Sequence, residues 1–153
     1  MTIDAFDRHI LSIYQADTRV PAQQIGEQVG LSAAAVQRRI KRLRESGVIV
    51  AEVATLDCRQ LGLNLTAIVH VDLVDESARA QRAFRDTVTA RGEVQQCYGV
   101  TGAADYVLIV VVTDLPAYEA FCEACLLHDS NIRGFTTQIV LEAAKRCGPV
   151  TLP

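Results

Sequence analysis

No run of this 153-residue sequence is long and apolar enough to cross a bilayer; the longest, Val107 to Val112, falls far short. The opening Met1-Thr2-Ile3-Asp4 has neither a basic nor an apolar targeting region, so secretion is not expected and a cytoplasmic location is. Proline (4) and glycine (9) are scarce, which excludes collagen-like and generally disordered chains. The five cysteines (Cys58, Cys97, Cys122, Cys125, Cys147) are odd in number, in a chain whose residues are 50% hydrophobic, which argues for reduced thiols over a disulfide framework. Charge of one sign is also lacking: 15 Lys and Arg stand against 18 Asp and Glu, a net charge of −3.

The charge that is present is unevenly placed. Residues 1–60 hold eight basic and seven acidic groups, whereas 61–153 hold seven and eleven. Between Ser32 and Ser46 lie Arg38, Arg39, Lys41, Arg42 and Arg44 against Glu45 alone. Apolar spacing places three helices in the first fifty residues. Ile3, Phe6, Ile10 and Tyr14 mark the first, and Ile25 and Val29 within 22–29 mark the second, which Gly30 ends. Val36, Ile40 and Leu43 mark the third, with Ser32 as N-cap and Leu31 stapling onto Val36.

Two helices joined through Gly30-Leu31, the second the more basic, form a helix-turn-helix pattern. With Val36, Ile40 and Leu43 inward, Ala34, Arg38, Lys41 and Arg42 turn to solvent, and Gln37 and Arg39 flank them. Small Ala33 and Ala34 allow close approach to base edges, while Gln37 and the arginines can donate to bases or phosphates. Ser32, Ala33, Ala34, Gln37, Arg38, Arg39, Lys41 and Arg42 are therefore the expected contacts to double-stranded DNA. Val48 to Leu56 reads as a β ribbon or wing and Asp57 to Asn64 as a linker. The expected domains are 1–50 for DNA binding, 51–64 for wing strand and linker, and 65–153.

From Leu65 the period changes to strand, helix, strand, twice over. The expected elements are a strand over 65–73, a helix over 75–91 packing through Ala80, Phe84 and Val88, strands over 94–100 and 106–113, a helix capped by Asp114, and a strand over 135–141. This order gives a ferredoxin-like βαββαβ sandwich, so the whole chain is α+β: an N-terminal winged helix-turn-helix followed by the sandwich. Its third strand is apolar on both faces although helices cover only one, which predicts a homodimer through the sheets.

Cys122-Glu123-Ala124-Cys125, with His128 beyond, lies on an apolar stripe with Tyr118 and Phe121, and no second pair completes a zinc site. It reads as core packing. No metal, cofactor or catalytic arrangement is predicted; a thiol or metal sensor is one alternative function, and a small-molecule-binding module without DNA binding is another.

These segments together resemble the Lrp/AsnC family, the feast/famine transcriptional regulators. The resemblance rests on Ile3-Asp4-Ala5-Phe6-Asp7-Arg8-His9-Ile10-Leu11, on Val29-Gly30-Leu31-Ser32 with Val36 to Leu43, on Gly99-Val100-Thr101-Gly102-Ala103-Ala104-Asp105-Tyr106, and on Phe135 to Leu141. It implies a cytoplasmic DNA-binding homodimer, assembling into tetramers or octamers and responsive to an amino-acid effector. Carried over by position, Tyr98, Thr101, Gly102 and Asp105 line the effector pocket, joined by Thr137. Backbone amides around the glycines suit a carboxylate, and Asp105 an α-ammonium. Ala35, where the family commonly has a small polar residue or proline, and the apolar Ala103-Ala104 depart from its pattern.

Overall fold

The computed structural model describes residues 2–146 and 148–153, so Cys147 lies outside the described residues. The elements run α1 (Ala5–Tyr14), α2 (Ala22–Val29), α3 (Ala33–Glu45), β1 (Leu65–Leu73), α4 (Ala78–Thr89), β2 (Val94–Gly99), β3 (Tyr106–Val112), α5 (Leu115–Cys125) and β4 (Ile132–Ile139). They fall into two compact units: Met1–Thr55 with Ala144–Pro153, and Leu56–Ala143.

In the first unit each helix starts and stops where its sequence offers a cap. Asp4 accepts the Asp7 N–H at 2.8 Å and Asp7 answers by accepting the Asp4 N–H at 3.2 Å, a reciprocal capping box that opens α1. Gly30 closes α2 at φ 74°, and Ser32 opens α3 by accepting the Ala35 N–H. The two helices meet closely because Gly26 has no side chain: a Cβ there would lie 2.3 Å from the Leu31 carbonyl oxygen. Ile10, Tyr14, Ile25, Val29, Val36 and Ile40 form the core, with Leu31 packed against it. Phe6 does not join them as the α1 periodicity predicts. It stays 43% exposed, beneath the Arg39 guanidinium at 5.4 Å from its ring centre.

The ribbon expected over Val48 to Leu56 does not form. Among the described residues no strand lies between α3 and β1, and Val50 and Val53 are 90% and 83% exposed. A strand requires a ladder partner, and among the described residues the four strands pair only with one another. Glu52 instead ties it back to the helices, accepting from Arg44 Nε and Nη2 at 2.8 and 2.9 Å and from the Tyr14 hydroxyl. The C-terminal tail also returns to this unit, where the Gln15 side-chain amide donates to the Val150 carbonyl and accepts its N–H, both at 3.0 Å.

The second unit is a four-stranded antiparallel sheet in the order β2-β3-β1-β4, with α4 and α5 on one face. Alternation decides which residues they cover. Ala67, Val69, Val71 and Leu73 of β1 and Tyr106, Leu108, Val110 and Val112 of β3 are buried against Phe84, Val88, Tyr118 and Phe121. This is the ferredoxin-like sandwich. The first helix is shorter than the sequence suggests, because Asp75 folds an Asx turn onto Ser77, which then caps α4. β4 begins three residues early, at Ile132.

Burial pushes the Cys122 and Cys125 thiols up, Cys122 beside the Tyr118 hydroxyl and Cys125 on the same core-facing side of α5. Both are held as neutral thiols that fill core space.

Candidate functional site

The third helix has one face committed to the core and one to solvent. Val36, Ile40 and Leu43 are buried, whereas Ala34, Gln37, Arg38, Lys41 and Arg42 are exposed. The unit that carries it therefore presents small residues at the N-terminal end of α3 and cations along the rest. That order suits a helix entering the major groove, with contact to base edges at its start and to phosphates at its flanks.

The five cations between Ser32 and Ser46 differ in what holds them. Arg38 has no acidic partner among the described residues, and Lys41 makes only a 3.8 Å contact to Glu45 one turn away. Arg44 faces Glu52 and Tyr14, with its guanidinium 5.9 Å from the tyrosine ring centre. Arg39, expected at the DNA surface, is bonded through Nη1 to Asp4 at 2.7 Å and to Asp7 at 2.8 Å, and its side chain is only 23% exposed. Its position makes it a strut between α1 and α3. Arg42, also expected to be free, places Nη2 2.5 Å from Asp7, with its side chain still 45% exposed. The Asp7 backbone N–H and the Arg39 guanidinium together hold the Asp4 carboxyl below its usual range.

The second unit carries an open concavity of about 870 Å³ on the sheet face turned away from α4 and α5. Polar groups come from the strands, as His70, Asp72, Thr136 and Gln138, with Arg133 at the start of β4; apolar surface comes from Val100, Ala103, Ala104 and Val107. Register explains the grouping: His70 pairs with both Val107 and Thr136, and Asp72 pairs with Gly134. Arg133 Nη1 donates to Asp72 Oδ2 at 3.4 Å.

Of the five residues carried to an effector site, Thr101 lines this concavity. Gly102 supplies the loop's positive φ of 123°, and Tyr98 stands on the open face of the sheet edge, opposite Val107. Asp105 is otherwise engaged: Oδ2 accepts the Leu73 N–H at 2.7 Å and its own N–H donates to the Val71 carbonyl, pinning the loop to the end of β1. Thr137 points to the opposite side, where its hydroxyl meets that of Tyr118 under α5. One residue in either direction, Thr136 and Gln138 reach the concavity instead. His70, Asp72, Arg133, Thr136 and Gln138 are thus the residues that sequence reading passed over. The alternation of β1 was the available signal, because burying Ala67, Val69 and Val71 forces His70 and Asp72 outward.

Comparison with known proteins matches both units. Residues 3–44 fit the AsnC-type helix-turn-helix domain and residues 66–150 the Lrp/AsnC ligand binding domain. The chain is 37% identical over 145 residues to the HTH-type transcriptional regulator y4tD of Sinorhizobium fredii, covering 95% of this chain and 86% of that one. It is 31% identical to transcriptional regulator AzlB of Bacillus subtilis, covering 94% and 92%. Among solved structures, an AsnC family transcriptional regulator from Agrobacterium tumefaciens superposes with a TM-score of 0.88 at 33% identity, covering 98% and 96%. The L-Met complex of a transcriptional regulator from Neisseria meningitidis superposes with a TM-score of 0.90 at 28% identity, covering 98% and 97%. These relatives are transcriptional regulators, not enzymes.

Proposed function

The chain belongs to the Lrp/AsnC family of DNA-binding transcriptional regulators, and from that premise we propose that it reads double-stranded DNA through the exposed face of α3 and responds to an amino acid held by the sheet unit. The observation that carries the first part is the division of α3 itself. Val36, Ile40 and Leu43 are buried, while Ala34, Gln37, Arg38 and Lys41 are left to solvent without a strong acidic partner. Such a face attracts a polyanion, and its small N-terminal residues admit base edges.

The second part rests on the concavity, which offers an anion partner in Arg133, a cation partner in Asp72 and apolar surface in Val100, Ala103 and Ala104. That set suits a zwitterion with a modest apolar side chain, the chemistry of L-Met bound by the Neisseria meningitidis neighbour. Thr101 contributes from the loop, whereas Asp105 and Thr137 act structurally.

Homodimerisation through the open sheet face is part of the same reading. Ile68 and Ile109 pair across β1 and β3 on that face, with Val107 beside them, and covering them with a second copy removes apolar surface from water. Tetramers or octamers, and a cytoplasmic location beside DNA, complete the proposal. The deciding experiment is a titration of the full chain against duplex DNA from its own upstream region, with Arg38→Ala as control. Salt-sensitive binding that this variant weakens supports the reading; an unaffected variant refutes the assigned face.

A further inference from the structure

Among the described residues, one charged side chain has no exposed surface: Asp7, in the first turn of α1. A buried carboxylate stays charged only where cations and N–H donors replace its water. Asp7 has three such donors: Arg39 Nη1 at 2.8 Å on one oxygen, and Arg42 Nη2 at 2.5 Å with the Asp4 N–H at 3.2 Å on the other. The two arginines are treated differently by their surroundings. Arg39 is bonded a second time, to Asp4, and lies over Phe6. Arg42 is held at a single nitrogen and keeps 45% of its side chain exposed, one turn beyond Arg38 and next to Lys41.

From this geometry we infer that Asp7 is a positioning residue for DNA binding, fixing Arg42 so that its remaining N–H groups face a phosphate at the flank of α3. The inference rests on the DNA reading above and adds to it a residue that itself touches no DNA. A guanidinium is planar and presents five donors in a rigid fork, so pinning one nitrogen sets the direction of the others. A long side chain already ordered before binding loses less entropy on meeting its phosphate. The opposing physical effect has the opposite sign. Asp7 is a negative charge near a polyanion, and if it did no more than neutralise Arg42, removing it would tighten binding.

The test is fluorescence anisotropy of the full chain with a labelled mixed-sequence duplex of about 40 base pairs, across roughly 50–200 mM salt, for the unaltered chain, Asp7→Asn, Arg42→Ala and the double variant. Thermal melts show that each is folded at the temperature used. Asp7→Asn is expected to weaken binding about 5- to 10-fold and to flatten the logarithmic salt dependence by about one unit, the signature of one lost phosphate contact. Arg42→Ala does the same, and the double variant is no weaker than Arg42→Ala alone. Binding by Asp7→Asn that equals or exceeds that of the unaltered chain overturns the inference, as does full additivity in the double variant.

Should Asp7→Asn fail to fold, Arg42→Lys carries the test. It keeps the charge but not the fork, so its affinity falls, and unchanged affinity overturns the proposal. Absence of binding by the unaltered chain refutes the DNA reading, and this inference with it.

Discussion

Arg42 Nη2 lies 2.5 Å from the fully buried carboxylate of Asp7, joining α3 to α1 between residues 35 positions apart in the sequence. With Arg39 on the other Asp7 oxygen, the pair sets where the third helix lies against the first. Asp7→Ala deletes the acceptor for three N–H donors, leaving Arg39 with Asp4 alone and Arg42 with no acidic partner. Such charged hydrogen bonds contribute about 1.5–3 kcal/mol each before solvent relaxation, and both arginines retain some water. Urea unfolding is expected to show a loss of about 2–3 kcal/mol.

Acid should loosen the same junction. Asp4 has its carboxyl lowered by the Asp7 N–H and by Arg39, and Glu52 is lowered by Arg44 and the Tyr14 hydroxyl. A carboxylate whose folded value is depressed stabilises the fold above its unfolded value, and that contribution disappears as pH falls through the folded one. The N-terminal unit is thus expected to lose stability as pH falls below the ordinary carboxylate range and through the lowered values. Circular-dichroism melts should show a shallower acid dependence for Asp4→Asn. An acid slope identical to that of the unaltered chain would show that Asp4 is not among the groups responsible.

Gly26 should resist substitution. Its Cβ would meet a backbone oxygen, Leu31 O, at 2.3 Å, and backbone cannot swing aside as a long side chain can. The Leu31 N–H also bonds the Gly26 carbonyl at 2.9 Å, so displacing one residue strains both. Gly26→Ala is expected to destabilise the first unit by about 2 kcal/mol and to weaken DNA binding in parallel, measured by melting and titration of the same sample.

The concavity predicts a ligand response. Under the proposed amino-acid response, L-methionine, the ligand of the Neisseria meningitidis neighbour, is the first probe: at ten times its Kd a bound ligand stabilises the folded chain by about 1.4 kcal/mol, seen as an upward shift in melting temperature. Arg133→Ala should abolish that shift without unfolding the sheet, because Arg133 is exposed and its contact with Asp72 is a loose 3.4 Å. A shift that persists in the variant moves the ligand elsewhere.

Covering the open sheet face with a second copy implies that a charge there is intolerable. Under the proposed sheet-to-sheet dimer, Ile109→Asp, opposite Ile68 on β1, is expected to sediment as a monomer and the unaltered chain as a dimer, since an unpaired carboxylate at an apolar interface costs several kcal/mol. A dimer that survives the change would place the interface on another surface.

Much of this architecture is legible in the sequence because it rests on local signals. The α2 span, the Gly30 stop, the Ser32 cap and the buried triplet Val36, Ile40 and Leu43 follow from spacing and cap chemistry. So does β1, whose alternation matches its burial from Ala67 to Leu73, with Leu65 at the strand's start only partly buried. What escapes is set by partners distant in sequence. Arg39 and Arg42 look free on a helical wheel until α1 brings Asp4 and Asp7 beneath them. Thr137 and Asp105 look available until Tyr118 and Leu73 claim them; the exception is local, since Gly26 looks like an ordinary helical glycine until the turn five residues on brings the Leu31 carbonyl over it. Val48 to Leu56 has the composition of a strand but, among the described residues, pairs with no strand.

The measurement that bears most directly on the account is the affinity of the full chain for duplex DNA from its own upstream region, alongside an Arg38→Ala/Lys41→Ala variant, at two salt concentrations. Neither residue touches the core, so the variant should melt as the unaltered chain does. Salt-sensitive binding by the unaltered chain is expected, with a loss of at least about tenfold in the variant and a salt dependence reduced by about two phosphate contacts. Equal affinity of the two proteins, or no binding by either, would contradict it.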